Sequence, residues 1–173
     1  MERNFSNLVL VLGGARSGKS EFAEKLVENL GERRLYLATG AAGDDEMRKR
    51  IAGHRARRGD GWTTVEEPLE IEKHLVGQVP LLLDCLTLWL SNVMFAGREV
   101  SVATEQMLRA IGARPGPVVV VSNEIGMGLV PDTELGRKFR DAQGHLNQAV
   151  AADAGAVAFV AAGLPIWLKG AAP

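Results

Sequence analysis

A glycine-rich segment near the start of the chain has the residue types and spacing of a phosphate-binding loop. It reads Gly13-Gly14-Ala15-Arg16-Ser17-Gly18-Lys19-Ser20 and matches the pattern G-x-x-x-x-G-K-[ST] at every fixed position. Glycines let successive backbone N–H groups face a phosphate, and the start of the following helix adds a positive dipole end. Lys19 would act catalytically on the β- and γ-phosphates, and the Ser20 hydroxyl would bind Mg²⁺. The alternative is a glycine-rich turn that binds nothing.

The loop alone does not distinguish a kinase from a GTPase, an ATPase motor or a nucleotidyltransferase. The sequence contains no N-K-x-D motif that would read guanine. Its D-x-x-G sequence, residues 141–144, lies inside a predicted helix, where it could not act as a switch. These observations argue against a Ras-like GTPase, and 173 residues leave little room for the extra elements of a motor.

Asp84 is the second candidate for the metal site. It ends an aliphatic run, and a parallel strand here would present its carboxylate at the edge of the sheet where ligands bind. We expect this strand to neighbour the strand that precedes the phosphate loop. Alternatively, Asp84 caps the helix predicted to begin at Leu86, because Asp is a favoured N-cap residue.

A strongly charged segment, residues 44–58, carries a histidine among cations. Its acidic residues come first and its cations last, which suits the dipole of a predicted helix. Arg50, His54 and Arg58 recur every four residues, so one helix face presents the imidazole between two guanidinium groups. The arginines could hold a triphosphate while a neutral His54 attacks a phosphorus atom. An ordinary solvated helix face would show the same composition.

Short aliphatic runs alternate with amphipathic segments along the chain. The predicted strands are residues 8–12, 35–39, 62–66, 79–84, 117–122, 156–161 and 166–169. The predicted helices are residues 21–30, 44–58, 68–75, 86–95, 102–113 and 132–154. Continuous aliphatic strands separated by helices are typical of a mainly parallel sheet covered on both faces. We therefore predict a single α/β domain, residues 1–173.

Composition and charge narrow the class of protein further. The chain is 46% hydrophobic and 24% charged, as in an ordinary globular protein. A net charge of -1, from 20 Lys and Arg against 21 Asp and Glu, argues against nucleic acid as a whole-surface partner. The single cysteine excludes an internal disulfide, and no apolar run is long enough for a membrane span. We expect a cytoplasmic protein.

Two further segments permit alternative interpretations. Trp89, Met94 and Phe95 share a predicted apolar helix, which we assign to the core in preference to a subunit interface. Residues 123–131 follow a predicted strand at the ligand-binding edge and contain two glycines. They form either a flexible loop over a ligand or an ordinary strand–helix turn.

More motifs accompany the phosphate loop, in order, between about residue 8 and residue 169. They are Ala38-Thr39, Asp44-Asp45-Glu46-Met47, Arg50-Ile51, His54-Arg55, Thr64-Val65-Glu66-Glu67-Pro68, Leu83-Asp84-Cys85-Leu86-Thr87, Ser122-Asn123-Glu124-Ile125-Gly126-Met127-Gly128 with Pro131, Phe139-Arg140-Asp141 and Asn147-Gln148. Together they resemble the bifunctional adenosylcobinamide kinase/adenosylcobinamide-phosphate guanylyltransferase family of cobalamin biosynthesis. The resemblance implies a RecA-like P-loop fold and a homotrimer.

The resemblance also implies two successive reactions on a small-molecule corrinoid. A nucleoside triphosphate, GTP or ATP, phosphorylates adenosylcobinamide, and the product then receives GMP from GTP through a covalent GMP–histidine intermediate. His54 occupies the position of that histidine, and Gly53 stands where some relatives have a second one. The nucleotide contacts implied are the loop residues Gly13 to Ser20, and Ala38, Thr39, Gly40, Arg55, Ala56, Arg57, Arg58, Glu66 and Asp84.

Two other functions are compatible with the residues. One is a P-loop kinase of another small metabolite, in which His54 is only structural. The other is a nucleotide-binding regulatory module without transfer chemistry. Covalent labelling of the protein by α-³²P-GTP would support the corrinoid enzyme over both.

Overall fold

One sheet forms the framework of the part of the chain that the computed structural model describes, residues 5–40 and 59–171. Its strands are β1 (Phe5–Gly13), β2 (Arg34–Ala38), β3 (Trp62–Glu66), β4 (Leu81–Asp84), β5 (Val118–Asn123), β6 (Ala154–Ala161) and β7 (Leu164–Lys169). The helices are α1 (Lys19–Glu28), α2 (Leu86–Phe95), α3 (Val100–Ala113) and α4 (Glu134–Asp153), with a short 3-10 helix at Ile71–His74. None of the described helices is long and apolar enough to cross a membrane.

The strands lie in the order β3-β2-β4-β5-β1-β6-β7. Neighbouring strands are parallel except for β6 and β7. The register aligns Gly13 of β1 with Asn123 of β5, and Ala38 of β2 with Asp84 of β4. Because parallel strands end at the same edge, this edge carries the phosphate loop and Asp84 together, as expected for a ligand site in an α/β sheet.

Helices cover both faces of the sheet, and alternate strand residues face each side. On β1, Leu10 packs in the same cluster as Met107 of α3, while Val11 packs in the cluster that contains Val27 of α1. Burial of each such side chain contributes about 1.5–3 kcal/mol relative to exposure. The predicted fold class, a mainly parallel sheet with helices on both faces, is confirmed.

The seven predicted strands and four of the six predicted helices are confirmed, most of them with shifts at their ends. β3 and α2 occupy the predicted residues. β4 begins at Leu81 instead of residue 79, because Val79 lies outside the sheet and its carbonyl accepts a hydrogen bond from Arg114. The helix predicted over residues 68–75 is only the short 3-10 helix, because the Glu67 carboxylate accepts the N–H groups of residues 69 and 70 and closes a turn. The helix predicted over residues 44–58 lies outside the described residues.

The apolar residues of α2 divide between core and surface. Trp89 is 1% exposed, and Met94 packs against the core cluster. Phe95 is 81% exposed at the end of the helix. The assignment of Phe95 to the core was therefore wrong, because no described element covers the last residue of α2.

Candidate nucleotide-binding site

The phosphate loop joins the end of β1 to the start of α1, as its motif predicts. Gly18 takes a left-handed backbone conformation at the N-cap of α1, with φ 91° and ψ 1°, and the helix begins at Lys19. The Ser17 N–H donates to the Gly14 carbonyl at 3.3 Å and closes the loop. Lys19 is buried, and its Nζ donates to the same carbonyl at 3.1 Å. The ammonium group therefore lies against the loop, where nucleotide phosphates would bind.

Two loop glycines are required by close contacts. A Cβ at Gly13 would lie 2.5 Å from Ser17 Oγ and 2.6 Å from the Val160 carbonyl oxygen. A Cβ at Gly18 would lie 3.0 Å from Cα of Gly163. Gly163, in the turn between β6 and β7, donates its N–H to the Ser17 carbonyl at 2.8 Å. This turn supports the loop, a contact between distant residues that the sequence pattern did not reveal.

Asp84 ends β4, and a tyrosine on the neighbouring strand holds its carboxylate. Tyr36 of β2 is 5% exposed, and its hydroxyl donates to Oδ2 of Asp84 at 2.8 Å. Sequence reasoning missed Tyr36, which is aromatic within an apolar strand and gave no signal of its polar role. The N-cap residue of α2 is Cys85, and no side chain caps this helix. The structure therefore does not support the alternative that Asp84 is a helix cap.

Asp84 does not lie on the strand next to the phosphate loop, and this expectation was wrong. β5 separates β4 from β1. Two inter-strand spacings amount to about 10 Å. The order of strands along the chain does not determine their order in a parallel sheet, because each crossover can return the chain to a different position.

Thr39, a predicted nucleotide contact, directs its hydroxyl into the protein. The fully buried Oγ1 donates to the Cys85 carbonyl at 2.7 Å and accepts from the Cys85 N–H at 2.9 Å. Asn92 of α2 donates from Nδ2 to the Thr39 carbonyl at 2.9 Å and to the Pro68 carbonyl at 2.8 Å. These bonds hold the ends of β2 and β4, and the residues after β3, in fixed relative positions.

The other predicted nucleotide contacts that the structure describes gather at the same edge. Ala38 aligns with Asp84 on one side and with Glu66 on the other. Glu66 is exposed, whereas Ala38 and Gly40 are half-buried. The remaining predicted site residues lie outside the described residues: His54, Arg55, Ala56, Arg57 and Arg58.

The end of β5 is held by hydrogen bonds that sequence reasoning missed. The Asn123 N–H donates to Thr87 Oγ1 at 2.9 Å, and its carbonyl accepts from Asn147 Nδ2 at 3.1 Å. The next residue, Glu124, donates its N–H to the Gly13 carbonyl at 3.0 Å. Polar residues at the end of an aliphatic run were the available signal. Their spacing could not show that α2, α4 and the phosphate loop all converge on this point.

The loop after β5 folds back on its first residue. The Glu124 carboxylate accepts from the N–H of Gly126 at 2.7 Å and from that of Met127 at 3.1 Å. Farther along, Leu129 and Val130 are 96% and 65% exposed. The internal bonds are those of a strand–helix turn, while the exposed apolar side chains are what a loop over a ligand would present.

Cys85 is buried beside the end of β4 and the phosphate loop. Burial raises the pKa of its thiol from 9.0 to about 11, and the Asp84 carboxylate adds to the increase. The positive charge of Lys19 acts on this pKa in the opposite direction. The thiol therefore stays protonated near neutral pH and is not a nucleophile. Cys85 packs as a small apolar residue in the cluster that contains Val27 of α1.

The fold and the loop geometry together define a nucleotide-binding protein of the P-loop α/β class. A family model, CobU: Cobinamide kinase / cobinamide phosphate guanyltransferase, matches residues 9–168. The chain therefore belongs to the cobinamide kinase/cobinamide phosphate guanyltransferase family, and the resemblance drawn from its motifs is confirmed.

Curated relatives agree with the family match. The chain is 47% identical to the bifunctional adenosylcobalamin biosynthesis protein CobP of Pseudomonas aeruginosa over 167 residues, which cover 93% of this chain and 96% of the relative. It is 35% identical to the bifunctional adenosylcobalamin biosynthesis proteins CobU of Escherichia coli and Salmonella typhimurium. Each of these matches spans 181 residues, 94% of this chain and 99% of the relative.

Proposed function

We propose that this protein phosphorylates adenosylcobinamide and then transfers GMP from GTP to adenosylcobinamide phosphate, giving adenosylcobinamide-GDP and pyrophosphate. The observation that carries the proposal is the phosphate loop, with Lys19 buried against it, in a chain whose residues 9–168 match the kinase/guanyltransferase family. The names of the three relatives, all bifunctional proteins of adenosylcobalamin biosynthesis, support it.

In the first reaction the phosphate loop holds the triphosphate of GTP or ATP. Backbone N–H groups of the loop and the Lys19 ammonium bind phosphate oxygens and orient the γ-phosphorus toward the corrinoid hydroxyl. The hydroxyl oxygen bonds to the γ-phosphorus while the bond to the bridging oxygen breaks. The nucleoside diphosphate leaves and the hydroxyl proton passes to water. Lys19 offsets the negative charge of this transition state.

Mg²⁺ fits the oxygen donors at the loop and at the end of β4. Ser20 supplies a hydroxyl and Asp84 a carboxylate, and such hard oxygen ligands are the ones that Mg²⁺ prefers. Bound Mg²⁺ would offset phosphate charge in both reactions. Because β5 separates β4 from β1, we expect phosphate oxygens and water to complete its coordination.

The strand ends beside the loop form the remainder of the proposed nucleotide site. Ala38, Gly40 and Glu66 lie at the carboxyl edge near Asp84, which supports their assignment as nucleotide contacts. Thr39 would contribute through its backbone position, since its hydroxyl is bonded to Cys85.

For the second reaction we propose His54 as the nucleophile, on the strength of its motif and the family. An imidazole nitrogen attacks the α-phosphorus of GTP, a P–N bond forms, and the bond to the β-phosphate oxygen breaks to release pyrophosphate. Lys19, Arg55, Arg57 and Arg58 would offset the charge of the pyrophosphate, and we propose Ala56 as a further nucleotide contact. The phosphate of adenosylcobinamide phosphate then attacks the same phosphorus atom, and the P–N bond breaks to regenerate the histidine.

We also propose a homotrimer of single-domain subunits in the cytoplasm. Exposed apolar side chains on neighbouring helices, Phe95 at 81% and Leu135 at 57%, favour a subunit interface over a free surface. The single buried cysteine suits a reducing compartment. Light scattering after size exclusion would measure the number of subunits, and a monomer at micromolar concentration would contradict the trimer.

Product analysis tests the proposed function. Protein incubated with adenosylcobinamide, Mg²⁺ and either ATP or GTP should form adenosylcobinamide phosphate. With GTP present it should go on to adenosylcobinamide-GDP, and mass spectrometry distinguishes the two products. A folded protein that forms neither corrinoid product with either nucleotide would contradict the proposal.

A further inference from the structure

We propose that the side-chain amide of Asn123 binds the γ-phosphate of the nucleoside triphosphate. Asn123 is the last residue of β5, the strand between β1, which ends in the phosphate loop, and β4, which ends in Asp84. The register places it directly beside Gly13, the first residue of the loop. This inference rests on one part of the proposed function, the binding of a nucleoside triphosphate at the phosphate loop.

The alternation of side chains along β5 directs Asn123 toward the face of the sheet that carries α1. Val121 packs in the cluster that contains Val27 of α1. Ser122 faces the opposite side, where its hydroxyl donates to Asn147 Oδ1 of α4 at 2.6 Å. Asn123 follows with the orientation of Val121, because successive strand residues point to opposite faces. The amide therefore lies on the side of the sheet from which the phosphate loop leads into α1.

The backbone of Asn123 is fixed, while its side chain has no bond within the described protein. Thr87 accepts its N–H and Asn147 donates to its carbonyl, as described above. The side-chain amide has no hydrogen-bond partner within residues 5–40 and 59–171, although the residue is half-buried. Because the backbone is held and the amide makes no bond within these residues, the amide is available to donate a hydrogen bond to a ligand.

The position of Asn123 indicates that its amide would contact the γ-phosphate of the nucleotide. Lys19, at the loop, and Asp84, two strands away, bracket the region where the terminal phosphate and its metal would lie. The Asn123 amide stands between them and can donate an N–H to a γ-phosphate oxygen. A nucleoside diphosphate lacks that oxygen. Asn123 therefore makes the site prefer a triphosphate and favours release of the diphosphate after the kinase step.

Binding measurements on Asn123 variants test this assignment. Affinities for GMPPNP and for GDP are measured by calorimetry with saturating Mg²⁺, in a His54→Ala background that prevents loss of the ligand to guanylyl transfer. Asn123→Ala should weaken GMPPNP binding roughly tenfold or more, as expected for a hydrogen bond to a charged group. GDP affinity should stay unchanged. Asn123→Asp replaces the amide with a negatively charged carboxylate of nearly the same size, and should weaken GMPPNP binding further.

A purely structural role is distinguished by stability and by a matched control. Asn123→Ala removes no hydrogen bond within the described protein, so its Tm should lie within roughly 2 °C of the parent. Asn147→Ala removes a bond to the Asn123 backbone. It should lower the Tm and reduce the affinities for GMPPNP and GDP by the same factor. Equal losses of GMPPNP and GDP affinity in Asn123→Ala, or no loss in either, would overturn the proposal.

The outcome is independent of the corrinoid reaction. If Asn123 instead contacts the corrinoid, Asn123→Ala will raise the KM for adenosylcobinamide and leave the preference for GMPPNP over GDP intact, which overturns the inference. If the protein forms no corrinoid product but Asn123→Ala abolishes that preference, the proposed function fails and the role of Asn123 stands.

Discussion

The Tyr36 hydroxyl and the Asp84 carboxylate form a 2.8 Å hydrogen bond between residues 48 positions apart in the chain. The register of β2 and β4 explains the contact, since Tyr36 aligns with Leu82, two residues before Asp84 and therefore on the same face. A buried phenol thus fixes one oxygen of the carboxylate that we assign to the metal. Tyr36 does not touch the metal in this account, and it acts by positioning Asp84.

Removal of the Tyr36 hydroxyl should weaken metal binding. Tyr36→Phe keeps the ring but leaves Asp84 without its donor. We expect the half-saturating Mg²⁺ concentration to rise roughly tenfold, the usual effect of losing a partner of a metal ligand. Mn²⁺ binding to the protein–GDP complex, followed by EPR, should weaken in parallel, which separates a metal effect from a general loss of activity.

Trp62→Phe is the matched control for the packing of Tyr36. Trp62 contacts the Tyr36 ring edge-on, with centroids 6.1 Å apart, and takes no part in the hydrogen bond. The Trp62→Phe protein should give the same Mg²⁺ and Mn²⁺ titrations as the parent. A Tyr36→Phe protein that also titrates like the parent would show that the hydroxyl does not serve the metal site.

Asp84→Asn should impair Mg²⁺-dependent turnover without unfolding the protein. The amide can still accept the Tyr36 hydrogen bond, but it lacks the charge that a metal or its bound water needs. We expect the Mg²⁺ requirement to increase roughly tenfold or more. Thermal unfolding should change little. A marked drop in Tm together with a normal Mg²⁺ titration would assign Asp84 a structural role instead.

Lys19→Ala should slow both reactions, because the same phosphate loop binds the nucleotide in the kinase and the guanylyl-transfer steps. Loss of a charge-assisted phosphate contact costs about 1.5–3 kcal/mol, or roughly 10- to 150-fold in rate. Lys25→Ala is the control on the same helix. Lys25 is exposed, and its ammonium group pairs with Glu21 of the same helix at 2.8 Å, so its loss should change neither rate. Unchanged kinase and guanylyl-transfer rates in folded Lys19→Ala would place the triphosphate elsewhere.

The Cys85 thiol should make the protein less stable at alkaline pH. Burial raises its pKa from 9.0 to about 11 in the folded state, so the unfolded chain releases the proton first. The associated stability is present below about pH 9 and is lost as the pH rises through 11. Urea unfolding at several pH values, compared between parent and Cys85→Ala, isolates this contribution. Identical pH dependence in the two proteins would contradict it.

Local patterns predicted much of the fold. The aliphatic run ending at Asp84 indicated β4, and the apolar segment after it indicated α2 at its observed bounds, Leu86–Phe95. The phosphate loop was placed correctly between β1 and α1, because its residues specify their own backbone geometry. Such features depend on residues close together in the sequence, so a short segment is enough to predict them.

Contacts between distant strands could not be predicted in this way. The place of β5 between β1 and β4 depends on where each crossover returns the chain, which no short segment encodes. The bonds of Thr39 with Cys85, 46 residues away, follow from that order. The exposure of Phe95 was also unpredictable, because an apolar pattern does not show how far neighbouring elements cover a helix end.

Covalent labelling of His54 tests the central claim most directly. The protein is incubated with α-³²P-GTP and Mg²⁺ without corrinoid, and the labelled peptide is sequenced. The account predicts one labelled peptide carrying GMP on His54, through a P–N bond that is labile in acid and stable in alkali. His54→Ala should lose the label and guanylyl transfer while keeping the kinase step, which needs no protein nucleophile. GMP found on His74, His145 or any other residue, or no label on a protein that still forms adenosylcobinamide-GDP, would contradict the account.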